Sequence, residues 1–340
     1  MAPNNAAVLA SAKQPLILTP TEPRYPDETE LVIRTAAVAI NQIDWKIQET
    51  PWDDFPYPLI LGEDVAGTVI SVGSAVTNFR PGDRVIGHAV AFKTQDERHG
   101  AFQEYAVLEA NMCCALPGNV SFEKGVVLPL GVSTACAALF QKAGKGLGLR
   151  APSLEPTKTG ETVIIWGGTT SVGSNAIQLA VAAGYDVVAT ASERNFEYAR
   201  RLGAAVVVDY KSKTAVQDIV SALQGKKVTG AFDTVGSEAS ASGTIAVLQR
   251  VQGRKVIASV DEVPENLPAG VSGIEVQAVD IRENEVSGMV YGEYLPRALA
   301  AGKYQTAPEP YVAGVGLRAI QGAFGAQKKV SARKIVVTVF

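Results

Sequence analysis

A glycine-rich turn at positions 167–174 has the residue types that bind a dinucleotide. The apolar run VIIW leads directly into this turn, which has the sequence GGTTSVGS, and a helical pattern follows it. Such a turn brings the free N–H groups and positive dipole end of a helix N-terminus up to a pyrophosphate. Glycines allow close approach of the phosphate, although Thr170 replaces the middle glycine of the usual G-x-G-x-x-G spacing. A strand before the turn and a helix after it favour dinucleotide binding over a purely structural turn. The residues expected to contact the cofactor here are Gly168, Thr169, Thr170, Ser171 and Val172.

The segment after the next strand decides between NAD and NADP. An NAD site usually places an acidic residue near the end of the second strand, where it binds the ribose 2′-hydroxyl. Here the strand predicted over 186–190 continues into Ala191 and Ser192, and neither is acidic. Hydrogen-bond donors follow, and an arginine suits a phosphate, so we expect NADPH and expect Glu193 to point away. Ser192 is also suited to cap the helix predicted over 195–202. The donors expected near the 2′-phosphate are Ser192, Arg194 and Asn195.

Two kinds of secondary-structure pattern divide the chain. The N-terminal part consists of strands and turns, such as the alternating run over 64–72, which favour an antiparallel, barrel-like unit. Farther along, strands and helices alternate, which indicates βαβ units in a parallel sheet. A Val-rich strand over 333–340 is expected to return to the first unit. Since 340 residues suit two domains, we predict that the change of pattern after residue 128 separates them.

The composition argues against several classes of protein. The net charge of −3 gives no attraction to nucleic acid or to an anionic membrane. No apolar run approaches the roughly 20 residues that cross a bilayer, and the N-terminus lacks the basic start and apolar stretch of a signal peptide. The three cysteines, Cys113, Cys114 and Cys136, are too few and odd in number for a disulfide framework. We therefore expect buried thiols in a cytoplasmic protein.

Five motifs in a fixed order resemble the signature of the medium-chain dehydrogenase/reductases. They are GEDVAGTV at 62–69, VG at 72–73, PGDRV at 81–85, GAFQEY at 100–105 and the turn at 167–174. The resemblance covers nearly the whole chain. It implies an α/β protein with a GroES-like β-barrel catalytic domain, covering residues 1–128 and 281–340. It also implies a Rossmann domain, a doubly wound parallel sheet over residues 129–280 that would bind NADPH.

The positions that bind zinc in many members of that family carry other residues here. Glu63 stands where those members have a ligand histidine, and Asn41 falls near their first ligand cysteine. Their structural zinc lobe has no counterpart, because no cysteine lies between residues 85 and 100. The chain has two histidines, His88 and His99, which we interpret as loop residues. We therefore predict no metal.

Within the family, the chain resembles the zinc-independent quinone oxidoreductases and the fungal trans-acting, ToxD-like enoyl reductases. The segment INQIDWK at 40–46 is similar to an Asn-Pro-x-Asp-x-Lys motif of that branch, with Gln42 in place of proline, and further similarity lies at 191–196, 208–210 and 291–293. The resemblance implies catalytic roles for Lys46, Asn41 and Thr134. Lys46 and Thr134 would also contact the cofactor near the nicotinamide. Further cofactor contacts are implied for Tyr210, Val235, Val260, Val290 and Lys334.

Structural roles stay open for several of these residues. Lys46 could be a solvated surface lysine, Thr134 a packing residue of its helix and Tyr210 an aromatic residue at a strand end. Asn41 and Asp44 could serve only to hold their loop through bonds to the backbone.

The leading hypothesis is conjugate reduction by NADPH. Hydride would reach the β-carbon of an α,β-unsaturated carbonyl, and donors at the carbonyl oxygen would stabilise the enolate. The residues suggest no proton donor. The nearest alternative is quinone reduction by the same hydride, and a third hypothesis is a non-catalytic NADPH-binding protein.

The expected partners follow from these hypotheses. The substrate would be a small enone or an enoyl thioester, and a trans-acting enoyl reductase would also dock an acyl carrier protein of a polyketide synthase. A basic patch would serve that docking, and monomer and homodimer both stay open. The candidates for the patch are Arg24, Lys46, Arg80, Lys93 and Arg98.

Overall fold

The computed structural model describes residues 3–50 and 57–340. The chain divides into two compact units, the first comprising Met1–Leu130 with Tyr291–Phe340 and the second Gly131–Val290. Each unit contains its own cluster of buried apolar side chains. The functional division predicted at 129–280 stays a prediction, because a compact unit is defined by packing and not by what it binds.

The strands and α-helices of the described residues are numbered in chain order. The strands are β1 (Asn4–Leu9), β2 (Ile17–Thr21), β3 (Glu30–Ala39), β4 (Leu59–Ile60), β5 (Asp64–Val72), β6 (Arg84–His88), β7 (Tyr105–Glu109), β8 (Cys113–Ala115), β9 (Glu161–Trp166), β10 (Asp186–Ala191), β11 (Val206–Asp209), β12 (Lys227–Asp233), β13 (Val256–Ser259), β14 (Ser272–Glu275), β15 (Glu309–Val315) and β16 (Arg333–Thr338). The α-helices are α1 (Gln42–Glu49), α2 (Ala91–Thr94), α3 (Phe122–Gly125), α4 (Pro129–Phe140), α5 (Ser171–Ala182), α6 (Phe196–Arg201), α7 (Ala215–Ala222), α8 (Glu238–Leu248), α9 (Glu285–Ser287), α10 (Leu295–Ala300) and α11 (Ile320–Gln327).

The first unit is built from antiparallel strands. Strands β2, β1 and β4 form a small sheet, and the larger sheet runs in the order β15-β16-β3-β5-β6-β8, with β7 paired to β3. All pairs in these sheets are antiparallel except β15 with β16. Val337 of β16 lies opposite Val38 of β3. The Val-rich C-terminal strand therefore returns to the first unit, as the sequence predicts.

The pairing of β3 with β5 determines where Asp64 lies in the larger sheet. Asp64 begins β5 and lies opposite Ala39 of β3 and His88 of β6. A Cβ on Gly67 would lie 2.2 Å from the carbonyl oxygen of Arg34, so only glycine lets the two strands approach this closely. As a result the carboxylate of Asp64 lies at the strand end from which the chain enters the segment 40–41.

The second unit is a parallel sheet in the order β11-β10-β9-β12-β13-β14. Every neighbouring pair in it is parallel. From β9 the chain moves outwards through β10 and β11, then returns to β12 on the other side of β9 and continues through β13 and β14. The order therefore reverses beside β9, and ligands of doubly wound sheets bind outside the carboxyl ends of the strands at such a point. The predicted fold class, a GroES-like barrel unit with a Rossmann sheet, is confirmed.

Segment 122–140 has the length and apolar composition of a membrane-spanning helix. The most apolar stretch of 18 residues in this segment is 78% buried inside the protein. A core helix behaves in this way, so the segment gives little support for a membrane span. The three cysteines are also buried and unpaired, as predicted.

Two details of the first unit differ from the sequence-based interpretation. His88 is the fully buried last residue of β6, and His99 ends a short 3-10 helix and is also buried, so neither is an exposed loop residue. His99 Nε2 lies 2.7 Å from Oε1 of Glu30, and its Nδ1 lies 2.9 Å from Oγ1 of Thr94. A single histidine surrounded by protein partners can be buried at low cost, and the sequence alone does not show those partners.

Candidate functional site

The glycine-rich turn follows β9 and enters α5 at the reversal of strand order. Gly167 has φ +86°, a conformation that favours glycine, and a Cβ there would lie 2.5 Å from Cγ2 of Val235. A Cβ on Gly173 would lie 2.2 Å from the carbonyl oxygen of Gly167, which is shorter than any van der Waals contact. Gly167 is therefore required by its positive φ and by the segment after β12, and Gly173 by the close approach of the helix to its strand.

Thr170, which replaces the middle glycine, is the N-cap of α5. Its Oγ1 accepts a hydrogen bond from the N–H of Gly173 at 2.9 Å and lies 2.9 Å from Oγ1 of Thr234. Thr234 in turn donates to the carbonyl oxygens of Trp166 and Gly167. The departure from the glycine motif thus supplies a helix cap, and Thr234 is a turn-holding residue that the sequence reasoning missed.

Several N–H groups of the turn have no partner among the described residues. The N–H groups of Gly167 and Gly168 donate to Oγ1 and the carbonyl oxygen of Thr190, respectively. The N–H of Thr169 has no acceptor among the described residues, and those of Ser171 and Val172 lie in the first turn of α5, where no intrahelical acceptor exists. Oγ of Ser171 is buried and makes no hydrogen bond within the described part of the chain. Unsatisfied donors at the N-terminus of a helix of this length fit an anionic ligand such as a pyrophosphate.

The residues predicted around the 2′-phosphate come together at the carboxyl edge of the same sheet. Ala191 of β10 lies opposite Asp209 of β11, so Ser192 and Tyr210 follow neighbouring strand ends. Nδ2 of Asn195 donates to Oγ of Ser192 at 3.2 Å. Ser192 precedes a 3-10 helix over Glu193–Asn195 and makes no capping bond to it, which leaves its hydroxyl able to donate to a ligand. The expected cap of the following helix is wrong, because the N-cap of α6 is Asn195.

Other predicted cofactor residues occupy different environments in the second unit. Val235 and Val260 follow β12 and β13 at the same carboxyl edge, and about half of the Val235 side chain is exposed. Arg194 is exposed, whereas Val290 and Thr134 are buried. The sheet therefore gathers Ser192, Tyr210, Val235 and Val260 with the turn, and their contact with a cofactor remains a prediction.

In the first unit, a buried carboxylate connects three separate segments. Oδ2 of Asp64 accepts from Nδ2 of Asn41 at 2.8 Å and lies 2.8 Å from Nζ of Lys334. Its Oδ1 accepts from the backbone N–H of Leu130, in the first turn of α4, at 2.6 Å. Nζ of Lys334 also donates to Oδ1 of Asn41. Asp64 is fully buried and Lys334 is 4% exposed, so the ammonium and the carboxylate neutralise each other away from water.

Asp44 lies beside this network. Its Oδ2 accepts the N–H of Asn41, the N-cap of α1, at 2.7 Å, and its Oδ1 is buried without a hydrogen-bond partner in the described residues. Burial raises the pKa of Asp44 well above its ordinary value, and the nearby carboxylates of Glu63 and Asp64 raise it further. Asp44 therefore holds a proton more tightly than an exposed aspartate does.

This set of side chains does not fit a catalytic zinc. A zinc site needs several nitrogen, sulfur or carboxylate donors that converge on one point. Here the oxygens of Asp64 already accept from N–H groups, and the ammonium of Lys334 lies beside them. Within residues 3–50 and 57–340, no group of three or more His, Cys, Asp or Glu side chains is placed to hold a metal ion.

Lys46 lies one turn into α1 and is half-buried. Its ammonium makes no hydrogen bond or ion pair within the described part of the chain. A partly buried lysine without a counter-ion suits an anionic or strongly polar ligand, which is compatible with the role that the family resemblance implies.

Two of the basic residues considered for docking form ion pairs within the first unit. Arg24 is buried, donates to Oε1 of Gln103 at 2.9 Å and pairs with Glu97 at 3.2 Å. Arg98 pairs with Asp96 and Asp27. A basic docking patch that includes these arginines is therefore wrong, because their charges are neutralised within the first unit.

The parallel sheet and its glycine-rich turn have the architecture of a dinucleotide-binding unit, and comparison with known proteins shows the family of the chain. A sequence model described as "Alcohol dehydrogenase GroES-like domain" matches residues 27–118, and one described as "Zinc-binding dehydrogenase" matches residues 171–301. The chain belongs to the medium-chain dehydrogenase/reductase family, whose cofactor is NAD(P).

Relatives match over nearly the full length. "Dehydrogenase azaJ" of Aspergillus niger is 44% identical, over 99% of each chain. "Trans-enoyl reductase himH" of Aspergillus japonicus is 38% identical, over 91% of this chain and 90% of the relative. Among solved structures, an alcohol dehydrogenase superfamily protein from Novosphingobium aromaticivorans superposes with a TM-score of 0.80 at 25% identity, over 99% of this chain and 100% of the other.

Proposed function

We propose that the protein is an NADPH-dependent reductase of the C=C bond of an α,β-unsaturated carbonyl compound. The observation that carries the proposal is the buried Asp64–Lys334 pair, which bonds to Asn41, a position where the family resemblance implies a zinc ligand in other members. Without a Lewis acid, a carbonyl-activated alkene is a more suitable hydride acceptor than a simple ketone. The similarity to a protein named trans-enoyl reductase supports the same substrate class.

NADPH rather than NADH is supported by the end of β10. A carboxylate in that position would select the ribose 2′-hydroxyl, but Ala191 and Ser192 stand there. We propose that Ser192, Arg194, Asn195 and Tyr210 surround the 2′-phosphate and that the free N–H groups of the turn bind the pyrophosphate. When bound, the dinucleotide would supply the hydride.

The residues of this chain would then position and polarise the substrate. We propose that Lys46 and Thr134 lie near the nicotinamide end of the cofactor and that Asn41 holds the start of α1. Donors aimed at the carbonyl oxygen would stabilise the charge that develops there as an enolate, an effect of a few kcal/mol per donor in comparable sites. Lys46 is the best candidate because its ammonium has no partner in the described residues.

The setting of the reaction follows from the substrate class. We propose an enoyl thioester as the substrate, presented by an acyl carrier protein of a polyketide synthase, and a cytoplasmic location. The relative named trans-enoyl reductase supports this choice over a free small enone. The oligomeric state is proposed to be a monomer or a homodimer.

A substrate panel tests the function. The purified protein would be assayed with NADPH and with NADH against a short enoyl thioester, a simple enone and a quinone, by loss of reduced-nicotinamide absorbance. We expect turnover of the thioester with NADPH at the highest kcat/KM. Activity with quinones alone would replace the proposal by quinone reduction, and NADPH binding without any turnover would replace it by a non-catalytic role.

A further inference from the structure

The proposed reaction gives no role to the carboxylate of Asp64 itself. It is fully buried, so it cannot contact a substrate from solvent, and its oxygens already accept from protein donors. These donors come from the N-cap of α1, the first turn of α4 and the strand β16, which are far apart in the chain. A buried carboxylate that connects three segments restricts their relative movement within the first unit.

The contact with α1 bears on the proposed active site. Asn41 is the N-cap of that helix, and its side chain donates to Asp64 while its backbone N–H donates to Asp44. The helix is also held independently, because Nε1 of Trp45 donates to Oε1 of Gln327 at 2.6 Å. Lys46 follows both attachments in the chain. The direction of the Lys46 side chain therefore depends on the bond between Asn41 and Asp64 as well as on the bond between Trp45 and α11.

The charge of Lys334 makes that attachment possible. A buried carboxylate without a counter-ion is costly, and removing one partner of a buried pair destabilises a protein far more than replacing both. Nζ of Lys334 is 2.8 Å from Oδ2 of Asp64 and also donates to Asn41. One ammonium thus neutralises the carboxylate and holds the side chain of the N-cap residue as well.

We propose that Asp64 is a positioning residue for the reaction, with Lys334 as its counter-ion, and that it acts by holding the N-terminus of α1 so that Lys46 points to the cofactor. This inference rests on the proposed function, since it takes from it the contact of Lys46 with NADPH. Asp64 itself touches neither cofactor nor substrate. In this proposal Lys334 acts inside the first unit, as the counter-ion of Asp64. The competing explanation for an effect of Lys334 on binding is a direct contact between its ammonium and NADPH.

The test is a thermodynamic cycle on NADPH affinity, measured without substrate by fluorescence titration. The double variant Asp64→Asn/Lys334→Met removes the pair without leaving a buried charge. It is compared with Lys46→Ala and with the triple variant that combines all three changes. A matched control removes the exposed pair of Lys158 and Asp186, whose charged atoms are 2.7 Å apart, through Lys158→Met/Asp186→Asn.

We expect Lys46→Ala to weaken NADPH binding about tenfold, which corresponds to about 1.4 kcal/mol. The double variant should weaken it by a similar factor, and the triple variant should be no weaker than either, because residues that act through one another are not additive. The control variant should bind NADPH as the native protein does. Asp64→Asn and Lys334→Met alone should each lower the melting temperature by more than the double variant does.

Each contrary result identifies what has failed. If the double variant binds NADPH normally, or if its effect adds to that of Lys46→Ala, Asp64 does not position Lys46 and the inference is wrong, while the proposed function stands. Additivity would also be the signature of a direct contact between Lys334 and NADPH. If Lys46→Ala leaves NADPH binding unchanged, the role of Lys46 in the proposed function is wrong and the positioning inference falls with it.

Discussion

Three carboxyl groups, those of Asp44, Glu63 and Asp64, are buried in the first unit, and two of them, Asp44 and Asp64, interact with the ammonium of Lys334. Of these, Asp64 is in direct contact with that ammonium. Asp44 has a single hydrogen-bonded oxygen and a pKa raised mainly by burial. The family resemblance indicates roles for Asn41 and Lys46, but the chemical character of Asp44 depends on burial, which one sequence does not show.

Asp44 should make the stability of the protein fall as the pH rises. Its native pKa is above the ordinary value of 3.8, so the native state keeps a proton that the unfolded chain loses above about pH 4, and the free energy of unfolding decreases from there up to the native pKa. Asp44→Asn removes this contribution. The variant should gain stability relative to the native protein by up to about 1.4 kcal/mol per pH unit over that range.

Urea unfolding of both proteins at a series of pH values measures this difference. The asparagine keeps an oxygen that can accept the N–H of Asn41, so the cap is retained. A difference in unfolding free energy that stays constant from about pH 4 to neutral pH would show that Asp44 is not held protonated.

Ser192 should control the choice of cofactor. Ser192→Asp places a carboxylate at the end of β10, where it would repel a 2′-phosphate and accept a bond from a ribose hydroxyl. We expect the ratio of kcat/KM for NADPH to that for NADH to fall by about 10–100-fold, or about 1.4–2.8 kcal/mol. Ser192→Ala is the matched control and should lower the ratio much less. An unchanged ratio in Ser192→Asp would place the 2′-phosphate elsewhere.

At the scale of elements, long regular patterns are the best predicted. The alternating run 64–72 is predicted and found as β5, and the strand predicted over 186–190 is found as β10, Asp186–Ala191. The sequence does not predict α1, because the contacts that stabilise this short helix are not local. It is stabilised by contacts such as that of Trp45 with Gln327, which lie far apart in the sequence.

The N-cap of α5 should contribute to stability and to cofactor binding. Thr170→Ala removes the acceptor of the Gly173 N–H and the partner of Thr234, and should lower the free energy of unfolding by about 1 kcal/mol and weaken NADPH binding. Thr170→Ser keeps the oxygen and should lose less than half of that stability. Denaturant unfolding and NADPH titration of the two variants provide the measurement, and equal losses in both would contradict a capping role for the hydroxyl.

The contact between α5 and β9 should tolerate no side chain at Gly173. In Gly173→Ala the new Cβ would be 2.2 Å from a backbone oxygen that cannot move alone, so we expect NADPH binding to be lost or weakened by more than about 100-fold. Gly322→Ala is the control, since α11 has open space at that position and alanine favours a helix by up to about 1 kcal/mol. NADPH binding by Gly173→Ala within a few-fold of native would contradict the assigned geometry.

At the scale of the whole molecule, the two units differ in how far the sequence reveals their sites. The glycine-rich turn is a local motif, and its strand, glycines and helix are contiguous, so its place between a strand and a helix could be predicted. The buried network of the first unit joins residues 41, 64, 130 and 334. Nothing in the local sequence links these positions, and the pairing of β16 with β3 and of β3 with β5 brings residues 41, 64 and 334 together.

Hydride transfer from NADPH to the β-carbon of an enoyl substrate is the core of the proposed function. The most direct measurement is turnover of an enoyl thioester with NADPH deuterated at nicotinamide C4 on either face, followed by location of the deuterium in the saturated product by NMR. We expect one deuterium at the β-carbon from one of the two labelled forms and none at the α-carbon. A product without deuterium at the β-carbon, or consumption of NADPH only when a quinone is present, would contradict the proposed reaction.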